Sequence, residues 1–273
     1  MTRFIDLTLN GVSNGAIYTA VALAFVLIWR ATRIVNFAAG GMLMISTFVA
    51  SSVISSSGSY WLGFFVALAV GFVLGGVAER VLIRRVEGGP PLNAVIVTIG
   101  LLILLQAIAG MIWSATPRSF PPAFSIRGYH VGSHTYLFGP FDVFTVLAVL
   151  GMATALLVLF RFTDLGLMMR ASAFEPIVAR LQGVRVGNML TLGWALASLA
   201  GSLAGLLIGP QVFVGPNNFD PVAVFGFTAA VIGGLDSPLG ALVGGLVLGH
   251  HAANAEHHAA VGHAQRALRV LLD

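Results

Sequence analysis

Long apolar runs almost free of charge are what most limit the folds open to this chain. Residues 7–28, 35–54, 61–83, 92–113, 141–160 and 189–208 form six such runs. As a helix rising 1.5 Å per residue, each reaches across or nearly across a hydrocarbon core of roughly 30 Å. The composition agrees. Of the 273 residues 58% are hydrophobic and 9% charged, and the mean hydropathy is +0.94. A soluble domain needs a far more polar surface. The fold class read from this is all-α, a polytopic integral membrane helical bundle.

Two further apolar pieces, 222–235 and 239–249, are too short to span singly and flank the sequence Gly-Gly-Leu-Asp-Ser-Pro-Leu-Gly at 233–240. Half-length helices around a Gly/Pro break read as discontinuous membrane helices, with a buried helical hairpin as the alternative. That makes about eight membrane segments, two of them short. The expected division is a membrane domain over 1–249 and an atypical Ala/His-rich tail over 250–273 that does not span, since its polar residues resist insertion. His250 and His257, like His251 and His258, are seven apart and can share a helix face. No second shell is visible around them, so no metal site is assigned.

Cysteine and lysine are absent, and all fourteen cations are arginines. Arg30, Arg33, Arg80, Arg84, Arg85, Arg161, Arg170, Arg180 and Arg185 fall on one side if the spans alternate, against Arg3, Arg118 and Arg127 on the other. The positive-inside rule makes the first side cytoplasmic and the N-terminus external. The net charge of +4 therefore speaks to orientation in a lipid bilayer rather than to nucleic acid. Glu79, at the end of a span, reads as the partner of a neighbouring arginine.

The polar stretch 170–183 lies on the arginine-rich side. Ser172 and Glu175 have capping-box spacing, while Pro176 fits the first helical position with Glu175 as its cap. Ile177, Val178 and Leu181 share one face, and Gly183 is placed to end the helix left-handed. Such a helix either rests on lipid headgroups or docks into a partner protein. Asn36, Gly40, Gly41, Gly233 and Gly234 interrupt apolar segments where protein or a wet cavity must surround the backbone. They are the candidates for lining or shaping a translocation route, with packing alone as the alternative. Gly11 and Gly15 form a small-residue packing face. The segment 129–137 reads as a small hairpin in the longest polar loop.

Three stretches resemble the permease subunits of bacterial branched-chain amino acid ABC importers. The first is Asn10-Gly-Val-Ser-Asn-Gly-Ala-Ile-Tyr-Thr-Ala, followed by Ile34-Val-Asn-Phe-Ala-Ala-Gly-Gly-Met. The second runs from Arg170-Ala to Leu181-Gln-Gly-Val. The third is Ala230-Val-Ile-Gly-Gly-Leu-Asp-Ser-Pro-Leu-Gly-Ala-Leu-Val-Gly-Gly. Their order and spacing cover the chain to about residue 249, after which the tail departs from the family's further hydrophobic span. The resemblance implies a permease of the bacterial cytoplasmic (inner) membrane, paired as a homo- or heterodimer with a second permease subunit. It also implies cytoplasmic ATP-binding subunits docked at Ser172–Gly183 and a periplasmic solute-binding protein. The chain has no G-x-x-x-x-G-K-[ST] phosphate loop, so ATP is expected to be used by the partners. No catalytic constellation and no cofactor are expected, and the chain reads as a non-enzyme. The alternatives are an ion-coupled secondary transporter, a permease of the same broad family for sugars, and a membrane scaffold. The near absence of mid-span acids argues against ion coupling.

Overall fold

Backbone amides carried into hydrocarbon must find partners within their own segment, and the apolar runs do so as helices. The computed structural model describes residues 2–254, apart from 87, 132, 133 and 137. Helix α1 covers Thr2–Thr32 and α2 Ala39–Ser57. Helix α3 (Tyr60–Ala78) passes through a π turn at Glu79–Ile83 into the short α4 (Arg84–Val86). Helix α5 follows over Pro91–Trp113 and α6 over Pro140–Phe162. Two short helices, α7 (Asp164–Phe174) and α8 (Pro176–Leu181), lead into α9 (Val186–Ile208) and α10 (Asp220–Gly233). A last helix, α11, occupies 238–254. Six of these helices are long and apolar enough to cross a membrane. The hairpin in the long loop forms, with β1 (His130–Val131) antiparallel to β2 (His134–Thr135).

Helices α1 and α9 sit at the centre, with 83% and 78% of their apolar windows buried, whereas α3, α5 and α6 form the periphery at 33%, 22% and 28%. Small residues let the central helices approach closely. A Cβ on Gly75 of α3 would lie 2.3 Å from the Trp194 carbonyl oxygen of α9. A Cβ on Gly249 of α11 would lie 2.1 Å from the Gly15 nitrogen of α1. The Gly11/Gly15 face is thus a packing face, and its partner is α11. Some buried hydroxyls bond within their own helix, as Ser46 donates to the Met42 carbonyl at 3.0 Å and Thr47 to that of Leu43 at 2.8 Å, while Thr19 of α1 donates to the Leu242 carbonyl of α11 at 3.3 Å.

The last two apolar pieces pack against each other as a hairpin, the alternative left open by the sequence. A Cβ on Gly244 of α11 would meet the Ala229 carbonyl of α10 at 2.3 Å. Asp220 opens α10 with Pro221 in its first turn, where proline's missing N–H costs nothing. Helix α11 continues past residue 249 through His250 and His251, and Ala253 is buried. The remainder of the expected tail, 255–273, including His257 and His258, lies outside the described residues.

Charges sort to the two ends. At one end Arg33 pairs with Asp236 at 2.6 Å, Arg84 pairs with Glu79, and Arg30, Arg161 and Arg170 line one cavity. At the other, Arg118 donates to the Trp113 carbonyl at 2.7 Å and bridges to Val214, tying the 114–139 loop to the loop before α10.

Two expectations follow. In this cysteine-free chain, Ser119→Cys should react with an impermeant thiol reagent from outside, and Gln182→Cys only after permeabilisation; the reverse pattern would invert the orientation. Gly249→Ala should lower stability in detergent by about 1–3 kcal/mol through overpacking. Gly110→Ala, where a Cβ meets nothing within 4 Å, should leave the thermal midpoint unchanged or slightly raised.

Candidate functional site

Between α6 and α9 the chain forms two helices where the sequence suggested one. Thr163 caps α7, its hydroxyl accepting from the Gly166 N–H at 3.2 Å. Helix α7 ends at Phe174 because Glu175 precedes a proline and is held out of the helical region, at φ −136° and ψ 75°. Pro176 then opens α8, the second of the two arrangements considered. Glu175 sits at the cap position without a side-chain capping bond. Ser172 lies within α7, 2% exposed, and its hydroxyl has no partner among the described residues.

Helix α8 is anchored through Ala179, which packs with Val186 and Leu190 of α9. Its opposite face carries Ile177, Val178 and Leu181 at 69%, 47% and 83% exposure, next to Phe174 at 70%. Gly183 ends it at φ +84°. The Gly183 N–H donates to the Arg180 carbonyl and the Val184 N–H to that of Ala179, both at 3.0 Å. This paired arrangement uses the left-handed conformation that glycine adopts without a Cβ penalty.

The segment is held by an ion pair that the π turn creates. Residues five apart point in different directions on an α-helix, but a π turn closes its ring at that separation. Glu79, 1% exposed, accepts from Arg84 Nε at 3.1 Å, Arg84 Nη2 at 3.0 Å and Thr191 Oγ1 at 2.6 Å. Arg84 Nη2 also donates to the Gly187 carbonyl at 2.7 Å, which locks the end of α3 to the start of α9. Glu79 is therefore an arginine partner, as its position in the sequence suggested. Arg33 makes a second link, with its guanidinium 4.5 Å above the Phe174 ring while it pairs with Asp236.

The path candidates separate. Asn36 is fully buried, and its Oδ1 accepts from the Ala38 N–H at 2.9 Å, folding the side chain over the non-helical start of α2. Gly41 faces Leu102 and Leu105 of α5. Gly233 packs against Gly240, and Gly234 turns the chain at φ +89°. Gly40 lines a cavity of about 160 Å³ together with Phe25, Phe37, Leu102, Ala223, Val224, Phe227 and Asp220. Asp220 accepts from the Gln106 amide through both carboxylate oxygens, each at 3.0 Å. Asp220 stands just before the apolar piece 222–235 read from the sequence. The available signals were an Asp-Pro pair opening an apolar run and a lone glutamine inside a span. The described residues contain no group of three or more His, Cys, Asp or Glu able to hold a metal.

The profile of the family described as branched-chain amino acid transport system / permease component matches residues 7–261. The high-affinity branched-chain amino acid transport system permease protein LivH of Escherichia coli (strain K12) is 30% identical over 262 residues, spanning 90% of this chain and 84% of the relative. BraD of Pseudomonas aeruginosa, of the same description, is 26% identical over 263 residues with the same two shares. The xylose/arabinose import permease protein XylH of Sulfolobus acidocaldarius is 33% identical over 156 residues, 56% of this chain and 41% of that one. No solved structure matches.

The ion pair carries a stability expectation. Glu79→Ala should cost about 2–3 kcal/mol, below the usual loss for a fully buried pair because Arg84 reaches water. In a double-mutant cycle with Arg84→Ala, followed by unfolding in detergent, the two losses should not add. Full additivity would mean that the pair carries no coupling.

Proposed function

The chain belongs to the branched-chain amino acid transport system permease family, and on that footing we propose how its parts work. As a permease subunit of an ABC importer, it is a multi-pass membrane protein. Family membership sets aside the ion-coupled secondary transporter. The substrates we assign are branched-chain amino acids, as the names of LivH and BraD state for those proteins. The sugar permease reading has weaker support, because the likeness to XylH covers only part of either chain.

In this reading the chain sits in the bacterial inner membrane beside a second permease subunit, identical or homologous. It needs no cofactor of its own and is not an enzyme. Cytoplasmic subunits hydrolyse ATP, and a periplasmic protein delivers the solute. Solute crosses near the non-helical start of α2 and the α10–α11 turn, where Asn36, Gly40, Gly41, Gly233 and Gly234 shape the route. Of these, Gly40 touches a cavity, and the others act through packing and turn geometry.

The observation that carries the coupling assignment is the exposed face of α8 at the arginine-rich end. Ile177, Val178 and Leu181 stand out from a helix that is rigidly stopped at Gly183 and anchored by Ala179. A groove on an ATP-binding subunit that covers these side chains would gain roughly 1.5–3 kcal/mol for each one fully buried. The buried Ser172 anchors the end of α7, and the break at Glu175 sets the angle at which α8 projects.

Leu181→Asp should leave the permease folded, because Leu181 is 83% exposed. It should weaken retention of the ATP-binding subunit by about tenfold or more, the equivalent of losing one such buried side chain. Gly183→Val should instead retain the subunit less well through a distorted α8 end. Reconstituted leucine uptake measured beside ATP turnover, with subunit retention followed on a gel, checks both. Wild-type uptake and retention in the two variants would mean that α8 lies on lipid.

A further inference from the structure

Asp220 is a carboxylate at a depth where hydrocarbon would be expected. Its partner Gln106 lies seven residues before the end of α5 at Trp113, about 10 Å along the helix axis. The ring of Phe37 reaches Phe227 of α10 at 6.1 Å, and Phe227 in turn contacts Phe25 of α1 at 5.3 Å. These contacts bring the non-helical start of α2 into the bundle beside the same cavity. Asp220 is only partly covered, and Val224, one turn along α10, is 63% exposed. Among the described residues neither ion pair involves Asp220, and the cavity has no basic residue in its wall.

An ionised carboxylate open to one face of a bundle cannot be turned toward lipid without a large cost, so ionisable groups at this depth face protein or water-filled paths. The Gln106 amide supplies two hydrogen bonds but no charge. A cation therefore has a place opposite Asp220, and the remaining wall is aromatic and aliphatic. A cavity of about 150 Å³ in another protein takes up a benzene-sized molecule, so the volume here suits a short branched alkyl group. A carboxylate at one end and an apolar wall at the other match the two ends of an aliphatic amino acid, its ammonium and its side chain. A sugar, which offers neither a cation nor a continuous apolar surface, does not fit this wall.

We propose that Asp220, held by Gln106, binds the substrate's ammonium group, while Phe25, Leu102 and Val224 receive its alkyl side chain. The inference rests on the transport reading above and adds to it the residues that recognise the substrate.

The absence of cysteine allows a direct test on the assembled complex in liposomes. Val224→Cys should be modified by water-soluble methanethiosulfonates, with the cationic reagent faster than the anionic one by about fivefold or more. L-leucine delivered by the solute-binding protein should slow the reaction. Asp220→Asn in the same background should bring the two reagents to equal rates, and alone it should lower leucine uptake about tenfold or more with ATP turnover unchanged. Should Asp220→Asn fail to assemble, Asp220→Glu, which keeps the charge and lengthens the arm, should preserve the cationic preference at Val224→Cys while lowering leucine uptake; loss of that preference would count against the proposal. An unreactive Val224→Cys, or equal rates for the two reagents before Asp220 is changed, would overturn the proposal while leaving the transport reading intact. Absence of leucine uptake by the unmodified complex would overturn the transport reading and this inference with it.

Discussion

Hydrocarbon offers no hydrogen bonds, and the architecture follows from that. Each long helix keeps its amides within itself, and several hydroxyls do the same, as with Ser46 and Thr47 bonding back to Met42 and Leu43. Apolar association does not drive helices together in a lipid solvent, so contact depends on how closely backbones can approach. Gly75 against Trp194 and Gly249 against Gly15 are contacts of that kind. Small residues at these points let α9 and α1 sit close against their neighbours, while large side chains such as Ile17, Leu23, Leu27, Trp194 and Leu206 fill the interior between them.

At the arginine-rich end the constraint relaxes, and charged groups hold the helix ends in register. The Glu79–Arg84–Thr191 cluster joins α3 to α9 only because the π turn brings positions 79 and 84 together. Arg33 touches both the α10–α11 turn, through Asp236, and the end of α7, through Phe174. An exposed pair of this kind contributes little stability. Its interest is mechanical, because the end of α7 and the α10–α11 turn share one side chain. Rigid contacts thus join α8 to α9, through Ala179 with Val186 and Leu190, and the end of α7 to the hairpin, through Arg33.

The cavity beside Asp220 exists because α2 does not begin as a helix. Asn36 folds its amide over the backbone of Ala38, satisfying a group that would otherwise be exposed to hydrocarbon, and Phe37 turns toward Phe227. Helix α10, short at 14 residues, starts at the same depth, so two chain irregularities meet beside an intact α5. Irregular backbone at membrane depth is tolerated where protein or water surrounds it, and here it leaves room for a small molecule.

The sequence by itself determined the membrane class, the order of the six long helices, the separation of charges by side, and the stop at Gly183 after a helix with one apolar face. Each of these depends on local periodicity, on composition, or on a conformation that one residue type adopts cheaply. The division of 170–183 into two helices was also legible in Pro176, once the restriction on Glu175 is applied. Only the tertiary structure decided which helices lie inside. Helix α5 is among the most apolar and the least buried, while α1 and α9 are less apolar and central, because lipid solvates large apolar side chains and close packing selects small ones. Only the structure joined Asp220 to Gln106 and Glu79 to Thr191, pairs separated by more than a hundred residues. Polar groups far apart in the chain carry no sign of each other until packing brings them within reach of a hydrogen bond.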